Sequence, residues 1–231
     1  MIYCTLIYGK QWHEKFASNI IREAQTHDIY ILTDHPEYFS ECSNVTEYTR
    51  PVFSYYEKLN WVLALTKQLK QRVTYVDANW IFNLTDSINI EEDLIYTHRF
   101  SEISKLRITP NDRDKLRDLF VEAEYPWQDN EYISEKVLSI PYLPNLIDKI
   151  IEDIKYLQPS FENVFNDKSN VGKKIKRYTE YGIGYLEGAA LTAVANRYNI
   201  KYNCKKNLIR RKDLLMSVSY THLTLPTNRE V

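Results

Sequence analysis

Short apolar runs without a clean polar alternation, each followed by a stretch with helical spacing, govern the first third of this chain. "IYCTLIY" (residues 2 to 8) and "DIYILTD" (28 to 34) are rich in strand formers and lack a period of two, as strands covered on both faces do. Between them Phe16, Ile20 and Ala24 recur every four residues and mark one apolar helical stripe. "NVTEYT" (44 to 49) reads as a third, weaker strand. From about Tyr55 to Lys70, Leu59, Val62, Leu63, Thr66 and Leu69 keep helical spacing, with Ser54 placed to cap the helix. "VTYVDANWIF" (73 to 82) then drives a fourth strand into Asp77 and Asn79. This order predicts an α/β fold with a Rossmann-type, mostly parallel sheet flanked by helices.

Beyond residue 82 the pattern is broken by polar stretches at 83 to 89 and 110 to 117, with "LIYTHRF" between them reading as another strand. "PNLIDKIIEDIKYLQP" predicts a helix whose face is Leu146, Ile147, Ile150, Ile151, Ile154 and Leu157, with Pro144 near its first turn and Pro159 past its end. "GIGYLEGAALTAVANRYNI" predicts a further helix from about Leu186 to Tyr198. The expectation is one domain with a more helical C-terminal half. Residues 217 to 231, "SVSYTHLTLPTNREV", keep neither period and resemble the translated read-through of a sequencing adapter at the end of a metagenomic reading frame. The natural chain is therefore expected to continue past about Met216, and His222 is set aside.

Composition removes several function classes. With 231 residues, 44% hydrophobic and 26% charged, the chain can bury a core without staples and reads as globular. Its apolar runs are far shorter than a bilayer span, and "MIYCTLIYGK" reads as a core strand in place of a secretory leader, so a cytoplasmic protein with no transmembrane segment is expected. Cys4, Cys42 and Cys204 are odd in number and far apart, which fits neither a disulfide framework nor a zinc site. Thirty basic against 31 acidic residues leave a net charge of −1, so no global field recruits nucleic acid. The chain has no G-x-G-x-x-G after its first strand, no P-loop and no G-x-S-x-G, and His13, His27, His35 and His98 form no H-E-x-x-H pattern.

In a parallel α/β sheet, ligands bind beyond the carboxyl ends of the strands. The groups there are Tyr8 and Gly9 after the first strand, Thr33 and Asp34 after the second, and Asp77 and Asn79 after the fourth. Asp34 can accept hydrogen bonds from a ribose or a base edge, and Gly9 lets backbone approach a planar ring; both are also ordinary strand-end residues. Two oxygen ligands spaced two apart at a strand end can point the same way and hold a hard divalent cation on a diphosphate. The alternative is a capping Asp and a turn Asn.

"SYYEKLNWVLALTKQLKQRVTYVDANWIF" (54 to 82) resembles the helix and strand leading into the DXD motif of retaining GT-A glycosyltransferases, most of all the family of glycogenin and bacterial galactosyl- and glucosyltransferases. "YCTLIYGKQWHEKFASNII" and "DIYILTD" also resemble that fold's first two strands, so the likeness covers roughly residues 1 to 90. It implies a GT-A-like fold in which residues 1 to 90 bind a nucleotide sugar, a UDP-sugar in first place, and residues 91 to 216 build the acceptor side. It implies Tyr8, Gly9 and Asp34 at the nucleoside, Lys58 at the donor region, and Asp77 with Asn79 on Mn²⁺ or Mg²⁺. "YGIGYLEGAALTAV" (181 to 194) resembles the segment that presents an acid to the transferring sugar or the acceptor, which implies a catalytic Glu187; a first-turn Glu favoured by the helix dipole is the alternative. The implied reaction moves a hexose to a hydroxyl on a glycan, lipid or protein. Two departures stand out: Asn79 replaces the motif's second Asp, which leaves metal-independent action open, and the late His-Gly-x-x-Lys-Pro-Trp motif is absent.

Other stretches have two readings. "PWQDNEY" (126 to 132) sets Trp127 beside Asp129 and Glu131, suiting either sugar recognition or a polar loop. "KSNVGKKIKR" (168 to 177) can close over a diphosphate or be a solvated loop, and "KKNLIRRK" (205 to 212) can touch a membrane surface. A GT-A-like domain that binds a nucleotide sugar or a partner without transfer is the competing function. A single-strand nucleic-acid binder is disfavoured by the balanced charge.

Overall fold

The computed structural model describes residues 1–49, 56–81, 84, 90–102, 118, 121, 124–125, 131–134, 136–166, 186–205 and 208. Ser54, the 110–117 segment, Trp127 and Asp129, the 168–177 basic run, most of 206–212 and the 217–231 tail lie outside the described residues.

The chain forms an α/β fold around a mixed, mostly parallel sheet. Its parallel half comprises β1 (Ile2–Ile7), β2 (Asp28–Thr33), β3 (Val45–Glu47) and β4 (Val73–Val76). These strands are linked through α1 (Lys10–Ala24) and α2 (Tyr56–Leu69). β1 pairs in parallel with β2 (Ile2↔Asp28 to Ile7↔Thr33) on one side and with β4 (Ile2↔Val73) on the other. The second half is β5 (Ile95–Thr97), β8 (Val137–Ile140) and β9 (Tyr202–Cys204). The sheet order is β3-β2-β1-β4-β8-β5-β9, with β8 antiparallel to both β4 and β5, and β9 parallel to β5. A separate two-stranded ribbon pairs β6 (Phe100–Glu102) with β7 (Glu131–Ile133).

The absence of period-two alternation in the strands has its explanation in the two covered faces. Along β1, Cys4 and Leu6 belong to one buried cluster, while Tyr3 and Ile7 belong to the other. Along β2, Leu32 joins the first and Ile29 and Ile31 the second. Successive side chains leave a strand on opposite faces, so a sheet with helices on both sides needs apolar residues at every position. The second cluster includes Ala17 and Ile20 of α1. The first includes Leu59, Val62 and Leu63 of α2, Ile150, Ile154 and Leu157 of α3 (Ile147–Asn166), and Ala189 to Ala195 of α4 (Leu186–Arg197).

Two helices differ from expectation in instructive ways. α3 does not end before Pro159 but runs to Asn166. Proline removes the N–H that would bond the carbonyl four residues back, and the buried face of Ile147, Ile150, Ile154 and Leu157 holds the helix up to that point. α4 is buried nearly all round, from Glu187 to Ala195, which its small side chains permit. Its Thr192 hydroxyl donates to the Gly188 carbonyl (2.8 Å) and accepts from the Ile133 N–H (2.9 Å), tying the helix to β7. It stops where Asn199 adopts φ 53°, so that the Ile200 N–H reaches the Ala195 carbonyl (2.8 Å) and the Asn199 N–H that of Asn196 (3.2 Å). That double bond is a Schellman cap, which asparagine tolerates because it tolerates the left-handed region.

Among the described residues, no helix is long and apolar enough to cross a membrane.

Candidate functional site

The strand order places a site before any side chain is considered. From β1 the chain steps outward to β2 and β3, then returns to the other side of β1 with β4. Between β1 and β4 the connections diverge, and at such a switch point the loops leave a crevice at the carboxyl edge. Tyr8 and Gly9 follow β1 there, and Asp77 follows β4.

On the β1 and β2 side the groups chiefly serve one another. The Gly9 N–H donates to both carboxylate oxygens of Asp34, each at 3.0 Å. Gly9 has φ 89° and ψ 130°, a conformation open essentially to glycine, and its carbonyl accepts from the Trp12 N–H to start α1. His13 Nδ1 lies 2.9 Å from that same carbonyl and Nε2 lies 2.6 Å from the Thr33 hydroxyl. A carbonyl only accepts, so Nδ1 carries a proton, and in the neutral ring Nε2 accepts from Thr33. The ring also touches those of His35 and Tyr38, and Tyr8 meets Tyr48 edge-on at 5.6 Å. Asp34 thus locks the β1 and β2 ends together, with its side chain still 19% exposed. Sequence reading considered His13 only for an H-E-x-x-H pattern, because its burial depends on the Thr33 end of β2, 20 residues away.

On the β4 side three expected residues come together. Asp77 Oδ1 accepts from the Lys58 ammonium at 3.0 Å and from the Tyr75 hydroxyl at 2.9 Å. The Lys58 and Asp77 side chains are 14% and 15% exposed. Burial, reinforced by the neighbouring Asp77 charge, holds the Tyr75 phenol well above its ordinary pKa, so it stays a donor. Lys58, Leu59, Tyr75, Leu138, Glu187 and Gly188 line one cavity of about 10 Å³, room for roughly one water. Glu187 is 1% exposed and sits in the first turn of α4 as described, while Lys58 sits in the first turn of α2. Residues 58, 77 and 187 are far apart in sequence. Tyr75 was missed, although its place two residues before Asp77 in the strand run puts it on a shared face.

Asn79 does not share that placement. β4 ends at Val76, and the Trp80 N–H donates to the Asp77 carbonyl at 2.7 Å, closing a 3-10 turn over Ala78–Trp80. The extended backbone therefore ends at Asp77, and Asn79 is exposed on the turn that follows. Asp77 is the anionic member of the expected metal pair, and its Oδ1 already accepts from both Lys58 and Tyr75. Ligand oxygens lie about 2.0–2.6 Å from a hard divalent cation, which would bring it against the ammonium already on Oδ1. Asp77 in this arrangement orients a lysine.

Beside this cluster His98 follows β5. Its N–H donates to the Val137 carbonyl (3.4 Å), next to the Lys136 carbonyl that accepts from the Asp77 N–H (2.9 Å). The imidazole is 8% exposed, lies against Trp80 at 5.1 Å, and neither ring nitrogen has a hydrogen-bond partner among the described residues. Burial first, then the charges of Arg99 and Lys136, push it down to about 4, against the opposing pull of the Val137 backbone and the Asp77 charge. An unfolded chain carries an imidazole near 6.5. Between those values the unfolded state binds the extra proton, so stability is full above about pH 6.5 and falls toward pH 4, by about 3 kcal/mol at full titration. Thermal melts from pH 7 to 4.5 are expected to show that decline, and His98→Leu to flatten it; an unchanged slope in the variant would place the acid sensitivity elsewhere.

Neither a scan against protein-family models nor a search of curated proteins finds a match for this chain.

Proposed function

We propose that the chain is a GT-A-like glycosyltransferase that takes a hexose from a nucleoside-diphosphate sugar, a UDP-sugar in first place, and gives it to a hydroxyl of a glycan, lipid or protein. The observation that carries this reading is the Lys58–Asp77 ion pair at the carboxyl edge of β4, beside the β1/β4 switch point, with Lys58 also lining a cavity that Glu187 shares. Tyr8, Gly9 and Asp34 border the same edge, where the nucleoside would lie, with its diphosphate toward Lys58; Glu187, 1% exposed on a cavity with room for about one water, has no space beside it for a sugar ring.

In the reaction the bond from the anomeric carbon to the leaving phosphate oxygen breaks and one to the acceptor oxygen forms. The acceptor loses its proton, and the nucleoside diphosphate departs with one more negative charge. A fixed ammonium at the diphosphate stabilises that developing charge. No step is assigned to a metal, because Asp77 is engaged by Lys58 and Tyr75.

The test needs no acceptor. Incubated with UDP- and GDP-linked hexoses, the protein is expected to release free sugar slowly from one of them. If none is hydrolysed and no nucleoside diphosphate binds by calorimetry, the transferase reading falls.

A further inference from the structure

We propose that this site binds the diphosphate group without a divalent cation, the Lys58 ammonium serving as its fixed positive charge and Asp77 and Tyr75 as the residues that position it. This deepens the transferase reading and rests on it for the identity of the ligand, a nucleoside diphosphate.

The first argument is the order of the contacts. A lysine is flexible along four carbons and rarely holds one geometry at a surface. Here its ammonium is tied at 3.0 Å to a carboxylate oxygen that also accepts at 2.9 Å from a tyrosine anchored inside β4. Tyr75 is 1% exposed, so the chain of contacts runs from the rigid sheet, through Asp77, to the ammonium. The freedom that ordering would otherwise remove on ligand binding is already gone in the folded protein.

The second argument is position. The positive charge stands at the carboxyl edge of β4, beside the switch point where diphosphates meet α/β sheets. Lys58 lies in the first turn of α2 as described, so the positive end of that helix dipole adds to its field. The Lys58 side chain is 14% exposed, so it is largely withdrawn from the bulk water whose ions would screen its charge.

The third argument is the shape of the would-be metal pair. Asn79 is neutral, lies on the 3-10 turn Ala78–Trp80 and is exposed, whereas Asp77 is the residue before that turn and is mostly buried. The two do not make the same-face pair that a strand would have given. What the chain does bring to Asp77 is a cation of its own.

The experiment is a calorimetric titration of UDP, GDP, CDP, dTDP and ADP into the full chain, once in excess EDTA and once in Mn²⁺. One of these is expected to bind in EDTA with an affinity within about threefold of that in Mn²⁺. Lys58→Met is expected to weaken that binding at least tenfold in EDTA, with the corresponding nucleoside alone bound as before, and Lys58→Arg to restore most of it. A merely structural lysine would weaken nucleoside and diphosphate together. Circular dichroism of each variant checks that it folds, and the comparison of EDTA with Mn²⁺ on the unaltered protein stands even if Lys58→Met does not. Binding that appears only with Mn²⁺ overturns the proposal and leaves the transferase reading in place. Absence of binding to all five in both conditions overturns both.

Discussion

Asp77→Ala is expected to lower donor turnover by roughly 100- to 1000-fold while the protein stays folded, the range found when a group that stabilises developing charge is removed from an enzyme site. The loss has two parts. The Lys58 ammonium loses the oxygen that holds it at 3.0 Å, so its charge no longer waits at a fixed point. The Tyr75 hydroxyl loses its acceptor inside a nearly sealed position, which costs about 1–3 kcal/mol of stability as well. Asp77→Asn separates the parts: the amide oxygen still accepts from Tyr75, but the charge that attracts Lys58 is gone. Turnover should then stay low while the melting temperature recovers. Sugar release measured alongside thermal melts decides the matter, and an Asp77→Ala protein as active as the unaltered chain would remove the site from the chemistry.

The largest effect on stability is expected at Ile154. It is 0% exposed on α3, in the cluster that joins α2, α3 and α4 to the sheet. Truncation to alanine removes buried methyl and methylene groups and leaves a cavity that the neighbours fill only in part, a loss of about 2–5 kcal/mol. For a chain of this size each kcal/mol moves the melting temperature by roughly 2–4 °C, so a fall on the order of 10 °C is expected. Tyr156, two residues along the same helix, is 67% exposed. Tyr156→Ala should change stability by no more than about 0.5 kcal/mol. Equal losses at both positions in denaturant titrations would mean that α3 is not seated on the core through its Ile154 face.

What could be read from residues alone follows the range over which each signal acts. β1, β2 and α2 were legible because apolar runs and helical stripes are local, and each fills its expected span to within a residue or two, whereas α1, marked only by Phe16, Ile20 and Ala24, begins at Lys10 and buries His13, Ala17, Ile20 and Glu23. β8 was not read, although "VLSI" is buried at all four positions. Its antiparallel place between β4 and β5 depends on partners about 40 to 70 residues away, which no local period encodes. Pro159 misled for a similar reason: a proline's local cost is weighed against packing that the sequence does not display.

The candidate site divides in the same way. Asp77 was legible as an acid at a strand end, and Lys58 and Glu187 through a family resemblance, but that Lys58 meets Asp77 and shares a cavity with Glu187 required the fold. Asn79 was misplaced because alternation was extended past Val76 into a turn. The Gly9 and Asp34 hydrogen bonds show how two strand-end residues with a plausible ligand role also serve backbone closure. His98 carried no signal in its own neighbourhood, since its burial comes from strands far away in the chain.

The position of β8 also sets an order of assembly as the chain leaves the ribosome. β1 to β4 are complete by residue 76 and can pair with one another at once, whereas β5, made by residue 97, has no link to β4 until residues 137 to 140 arrive between them. Long-range pairings of this kind form late, after the loop-closure entropy has been overcome. For the span of synthesis between them β4 presents an open edge ending in Asp77, an interval in which an unpaired strand is most exposed to pairing with the wrong neighbour.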